Sequence, residues 1–101
     1  VKIRFEWDPV KAASNLRKHG VSFDIAVRAF ADPWALSHQD RIEGGEQRWQ
    51  TLGMVEGYLL LLVAHTIVDQ DDDTQPIEVI RIISARPANR KERQRYGQES
   101  R

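Results

Sequence analysis

Residues 58–68, Tyr-Leu-Leu-Leu-Leu-Val-Ala-His-Thr-Ile-Val, form an almost unbroken apolar run with no alternation. A strand with one wet face alternates apolar and polar side chains; a run of this length without alternation predicts a central strand covered on both faces, or nearly so. It is about half of the roughly 20 residues a membrane span needs, so it reads as core. A sheet with material packed against each side is therefore the minimum architecture. A chain of 101 residues with 41% apolar content suffices for one domain and one core. With no internal repeat and no change of composition that marks a linker, residues 1–101 are expected to form that single domain.

The other strands follow from punctuation. Residues 34–38, 47–54 and 77–84 are apolar or alternating runs separated by Gly44-Gly45, Gly57 and Pro76, which predicts an antiparallel meander of about four strands. Within the last run, period-two alternation puts Ile77, Val79, Arg81, Ile83 and Ala85 on one face and Glu78, Ile80, Ile82, Ser84 and Arg86 on the other. Residues 69–75 carry four aspartates and read as a polar hairpin loop, without the ligand spacing of a calcium loop.

Upstream, Lys2 to Phe5 alternates as a short half-buried strand. Asp8-Pro9 supplies an N-cap and a proline at the first helical position. The helix so begun is expected to face inward through Val10, Ala13 and Leu16, with Lys11, Asn15 and Arg17 outward, and to end at Gly20. Ser22 caps a second helix with Phe23, Ala26, Val27 and Phe30 inward, ended by Asp32-Pro33. Pro87 is expected to open a final helix running to about Tyr96, with Gly97 as its stop. The expected class is α+β: a short strand, two helices, the meander and a C-terminal helix.

Charge is unevenly spread. Residues 81–101 hold seven basic and two acidic side chains, 7 − 2 = +5, against 8 − 13 = −5 for residues 1–80, although the whole chain sums to zero. A concentrated basic surface on a compact domain suits phosphate; a solvated helix face, or a landing site for an acidic partner, explains the same charge.

Several segments together carry a resemblance: Phe5-Glu6-Trp7-Asp8, Asn15 with Lys18-His19-Gly20-Val21-Ser22-Phe23, Asp32-Pro33, Asp40-Arg41, Gly45-Glu46 with Arg48 and Gly53, and Ile80-Arg81-Ile82-Ile83-Ser84-Ala85-Arg86 with Glu92-Arg93 and Tyr96. In order and spacing they resemble the BrnT family, toxins of type II toxin–antitoxin systems, over nearly the whole chain. The resemblance implies a RelE-like fold, RNA cleavage without a metal, and neutralisation by a BrnA antitoxin with a ribbon-helix-helix type DNA-binding region. It also implies inhibition of translation and growth, with operator DNA reached only through the antitoxin. The acidic 69–75 segment is longer than that family leads one to expect.

Metal-free RNA cleavage needs a base for the 2′-hydroxyl proton, positive charge on the pentacoordinate phosphorus and an acid for the departing 5′-oxygen. The chain has no cysteine, which excludes a thiol nucleophile, a thiolate metal site and a disulfide, and suits a reducing cytoplasm. No cofactor or metal is expected. Arginine fits the phosphorus because its planar fork donates two hydrogen bonds to one phosphate and stays charged. The candidate catalytic residues are His19, Arg81, Arg86 and Tyr96. Each has a competing structural reading: His19 as a cation at a helix C-terminus, Arg81 in an ion pair with Glu46 or Glu78, and Tyr96 as the aromatic anchor of the last helix. Lys18, Arg48, Arg90, Lys91, Arg93 and Arg95 are candidate RNA-binding residues, with a salt bridge to Glu46 competing for Arg48 and Glu92 expected to pair along the helix. His38 and His65 read as strand residues. Trp7 and Trp34 read as packing residues, and Trp49 is left between packing and base stacking. The alternative of a different kind is a catalytically silent module that docks a partner protein or nucleic acid through the basic helix. A stand-alone DNA-binding regulator is weaker, since no helix-turn-helix pattern is present.

Overall fold

The structure, a computed structural model, describes residues 1–71 and 73–99; Asp72 of the expected acidic loop and Ser100 and Arg101 of the basic segment lie outside the described residues. In chain order the elements are β1 (Lys2–Glu6), α1 (Pro9–His19), α2 (Phe23–Val27) with a 3-10 turn (Arg28–Ala31), β2 (Leu36–Glu43), β3 (Glu46–Val55), β4 (Leu59–Asp71), β5 (Pro76–Pro87) and α3 (Arg90–Glu99). The class is α+β. One five-stranded sheet has the order β1-β5-β4-β3-β2. β2 to β5 form the antiparallel meander, and β1 joins it as a fifth strand, parallel to β5 with Glu6 opposite Arg81. The sheet is therefore mixed.

The apolar run is the middle strand. Leu61 and Val63 point into a core with Val21, Phe23, Ala26, Ala29, Ile82 and Ala85, beneath α1, α2 and the 3-10 turn. Leu60 and Leu62 point the other way, into a smaller core with Leu52 and Ala88, flanked by Leu36, Met54 and Tyr96 under α3. Contact on both faces removes the need for alternation. Gly53 marks the closest approach: a Cβ there would lie 2.2 Å from the Ala29 carbonyl oxygen, so the 3-10 turn can seat on β3 only because that position lacks a side chain.

The inner stripe of α1 differs from the periodicity. Val10 and Leu16 are 76% and 51% exposed, whereas Asn15 is buried and Ala12 packs on the core. The helix rides over the rim of the sheet rather than its centre, and a buried asparagine is tolerated because its amide is fully bonded there. Its ends are as expected. Asp8 accepts from the Val10 N–H, Pro9 opens the helix, and Gly20 closes it in the left-handed region.

Three further corrections concern β4, β5 and α3. A bulge lies where Ala64 pairs with Ser84 but His65 pairs with Ile82, leaving Ile83 as the extra residue. Ala85 is thereby moved onto the face of Ile82, and both join the same core, against the period-two assignment. The acidic segment is largely strand: Asp69, Gln70 and Asp71 pair with Glu78, Ile77 and Pro76. Pro87 ends β5 instead of opening the helix; α3 begins at Arg90 and continues through Gly97 to Glu99. At the other end of the sheet β2 starts at Leu36, and Trp34 precedes it in a turn, 56% exposed, with its N–H donated to the Asp32 carboxylate.

Candidate functional site

α3 is fastened at both ends. At its start the Glu92 N–H donates to Asn89 Oδ1 at 2.9 Å while the Asn89 N–H donates to Glu92 Oε1 at 2.9 Å, a reciprocal capping box. The same Glu92 carboxylate receives Arg86 Nη1 and Nη2, each at 2.8 Å, so β5 and α3 are joined by a bidentate ion pair. The Arg86 hydrogen bonds hold the Glu92 carboxyl below the usual carboxylate range against an opposing effect of burial, with the Asn89 N–H and the charges of Arg86 and Arg95 adding to them. The bond to Glu92 correspondingly raises the Arg86 guanidinium, against burial. Further along, the Tyr96 hydroxyl donates to Asp32 Oδ2 at 2.5 Å. Asp32 also accepts from the Met54 and Trp34 N–H groups at 2.8 and 2.9 Å. Burial pushes this carboxyl up, but the bonds from Tyr96, Met54 and Trp34 outweigh it and hold it below its ordinary value.

β5 forms the edge of the sheet once β1 ends at the Glu6–Arg81 pair. There the Asn15 side chain takes over: its Oδ1 accepts from the Ala85 N–H at 3.1 Å, and its Nδ2 donates to the carbonyls of Ala85 at 2.8 Å and Val21 at 3.0 Å. This contact lays one stripe of α1 along the β5 edge. Lys11, Ser14, Asn15, Lys18 and His19 line a cleft of about 190 Å³ with Ile83 and Ser84. Lys11 and Lys18 make no ion pair among the described residues. Lys11, expected only as an outward residue, thus belongs to a cationic cleft that sequence spacing alone did not single out.

The remaining candidates are placed as follows. Arg81 is half-exposed, and its nearest anion is Glu6 at 3.5 Å rather than Glu46 or Glu78. Arg48 sits between Glu43 and Glu46 at 3.8 and 3.7 Å, with its Nε buried and without a partner. Arg93 donates to the Ala88 carbonyl at 2.7 Å, Arg95 approaches Glu99 at 3.9 Å, and Arg90 and Lys91 are exposed. Glu92 pairs across to β5 instead of along the helix. His19 and Lys18 are brought together beside Ser84, whereas Arg86, opposite Leu62, points to the face of the sheet under α3, and the Tyr96 hydroxyl, one turn beyond Glu92, is directed to Asp32. The roles of Glu92 and Asp32 as holders were missed; the Asn89-x-x-Glu92 spacing is the signal that could have found the first.

His65, read as a strand residue, is 1% exposed in β4. Its Nδ1 lies 3.3 Å from the Thr66 carbonyl, which makes Nδ1 the donor; Nε2 then accepts from the Thr51 hydroxyl at 2.7 Å, and Thr51 in turn lies 2.7 Å from Ser37 Oγ. Trp7 packs edge-on against Phe23, as a packing residue should.

Among the described residues, no three His, Asp or Glu side chains converge as a metal-ligand group, and no helix is long and apolar enough to cross a membrane. The arrangement defines a small α+β domain with cations on α1, β5 and α3, those of α1 lining a cleft where β5 is left as the sheet edge, a charge distribution suited to a polyanion. A family model described as ribonuclease toxin, BrnT, of type II toxin-antitoxin system matches residues 7–92, and the chain belongs to that family. Its fold is similar to that in the 1.1 Å crystal structure of the Brucella abortus ribonuclease toxin BrnT, with a TM-score of 0.59 and 18% identity, covering 89% of this chain and 100% of that one. A search of curated proteins gave no match. As a type II toxin, the protein has an antitoxin as its partner.

Proposed function

We propose that this toxin is a metal-independent endoribonuclease that cleaves RNA along the β5 edge and thereby inhibits translation and growth. The observation that carries the reading is the cleft that Lys11, Lys18 and His19 of α1 form against Ile83 and Ser84 of β5, the strand that also bears Arg81 and Arg86 and leads into Arg90, Lys91, Arg93 and Arg95 on α3. In the reaction the 2′-oxygen attacks the neighbouring phosphorus as its proton leaves, the bond to the 5′-oxygen breaks, and that oxygen takes up a proton. The products are a 2′,3′-cyclic phosphate and a 5′-hydroxyl. His19 is the proton-transfer group in the cleft, Arg81 and Arg86 face the charge that builds on phosphorus, and Lys18 with the α3 cations guides the flanking phosphates. Arg48, held between two glutamates, contributes at the far side of the sheet. Tyr96 serves by holding α3 in place through Asp32.

The partner of this reading is a BrnA-like antitoxin with a DNA-binding region, whose acidic segment covers the cationic rim in the cytoplasm. The test is incubation of the purified protein with RNA in excess EDTA. Cyclic-phosphate ends are expected, and a substrate with a 2′-deoxy residue at the scissile position should survive. Cleavage of that deoxy substrate would sink the mechanism; binding of RNA without any cleavage would favour the silent docking module.

A further inference from the structure

The N–H groups of Arg86 can be accounted for one by one. Nη1 donates to Glu92 Oε1 at 2.8 Å and to the Pro87 carbonyl at 3.2 Å. Nη2 gives one proton to Glu92 Oε2 at 2.8 Å. The second Nη2 proton and the Nε proton have no partner among the described residues, and neither nitrogen is a buried orphan. Those two N–H groups lie side by side on one edge of the planar guanidinium, the edge that matches two oxygens of a phosphate.

From this accounting we infer that Glu92 is a positioning residue, which clamps Arg86 so that its Nε–Nη2 edge is presented as a preformed fork for a phosphodiester of the RNA. The inference deepens the ribonuclease reading and rests on it for the identity of the ligand. A free arginine on a surface strand would have to give up rotamer freedom on meeting a phosphate; here the end-on bond to Glu92 has already fixed the plane. Glu92 is itself rigid, because Oε1 also accepts the Asn89 N–H and the Glu92 N–H is held by Asn89 Oδ1. Its side chain is only 15% exposed, so water does not compete freely for the carboxylate. The carboxylate costs some attraction for RNA, being an anion beside a cationic site. That cost makes the two explanations of Glu92 separable.

The experiment compares wild type with Glu92→Gln, Asn89→Ala and Arg86→Lys, measuring cleavage of an RNA oligonucleotide and binding of its uncleavable 2′-O-methyl counterpart. Glutamine preserves the capping box but supplies one acceptor and no charge. If Glu92 positions Arg86, Glu92→Gln lowers kcat by roughly tenfold or more, in line with the loss of about 100-fold that a misplaced group can cause, and does not tighten RNA binding. Arg86→Lys, which keeps the charge but lacks the fork, shows the same loss, and Asn89→Ala, which removes only the Oδ1 hold on the Glu92 N–H, lowers Tm and lowers kcat by less than Glu92→Gln does. If Glu92 is only a helix cap, Glu92→Gln retains kcat and binds RNA more tightly because an anion has gone, and the inference is overturned. Full activity in Arg86→Lys overturns it as well. A wild-type protein that binds RNA without cutting it, yet loses binding in both Glu92→Gln and Arg86→Lys, would retain the fork and remove the ribonuclease reading.

Discussion

The Asn15 carboxamide occupies the place of a neighbouring strand at Ala85, accepting its N–H at 3.1 Å and donating to its carbonyl at 2.8 Å. β1 stops opposite Arg81, so without Asn15 the edge of β5 next to Arg86 would have unpaired backbone groups under α1. One side chain both completes the ladder and sets α1, with Lys11, Lys18 and His19, against the strand that carries the arginines. Asn15→Ala should therefore destabilise the fold by about 2–4 kcal/mol, since a buried donor and acceptor of Ala85 lose their partners. Urea unfolding checks this. A loss under about 0.5 kcal/mol would show that water replaces the amide without difficulty.

His65 gives the protein a defined acid sensitivity. Burial lowers its pKa to about 4, opposed by its bond to the Thr66 carbonyl. The unfolded chain, with an ordinary value near 6.5, therefore takes up the proton first as pH falls, and stability declines between about pH 6.5 and pH 4. The shift sets a ceiling of about 3.5 kcal/mol on that decline, at roughly 1.4 kcal/mol per unit. Unfolding measured across this window should show the slope, and His65→Leu should flatten it even if the variant is less stable throughout. An unchanged slope would assign the acid sensitivity to other groups.

The parts of this fold that were legible in the sequence are those governed by local pattern. The unalternating run marked β4 as central because both its faces are covered, and the Asp8-Pro9, Gly20 and Ser22 signals marked the helix ends because caps act within a turn. What escaped was set by contacts distant in sequence. Nothing near Asn15 announces a bond to Ala85, seventy positions away. The bulge at Ile83 depends on pairing with β4, and its effect on which face Ala85 takes cannot be read from alternation. Pro87 looked like a helix opener, yet the capping pair Asn89 and Glu92 starts α3 two residues further on, after Ala88 has been buried against Leu60 and Leu62. For the site, the sequence supplied the cations and, in Glu46 beside Arg48, one counterion, but not the others. Arg86 with Glu92 and Tyr96 with Asp32 are the pairings that support the proposed separation of a presented arginine from an anchoring tyrosine.

That separation can be tested at Tyr96. Its hydroxyl is one of three donors that keep Asp32 ionised, so Tyr96→Phe should cost about 1–3 kcal/mol of stability. An Asp whose folded pKa is depressed stabilises the protein above its unfolded value and loses that contribution as pH falls through the folded one. The variant should thus lose less on acidification than wild type. RNA cleavage per folded molecule should remain within a few-fold of wild type. A collapse of kcat with stability intact would instead make the phenol part of the chemistry.

The outer arginines should differ from the inner ones in how they respond to salt. Arg95 makes one long ion pair, to Glu99 at 3.9 Å, and its side chain is partly exposed, so its guanidinium is available to a passing phosphate without a fixed direction. Arg95→Ala is expected to weaken RNA binding, to reduce the slope of log affinity against log salt by about 0.7 for a single strand, and to leave kcat unchanged. Arg81 stands on β5 opposite Glu6, whose carboxylate lies 3.5 Å from its guanidinium. Arg81→Ala should lower kcat and kcat/KM together by roughly 100-fold, as removal of an interaction made chiefly in the transition state does, with circular dichroism unchanged. Equal effects of the two substitutions on salt slope, with turnover untouched in both, would place Arg81 among the guiding cations and leave the charge on phosphorus to Arg86.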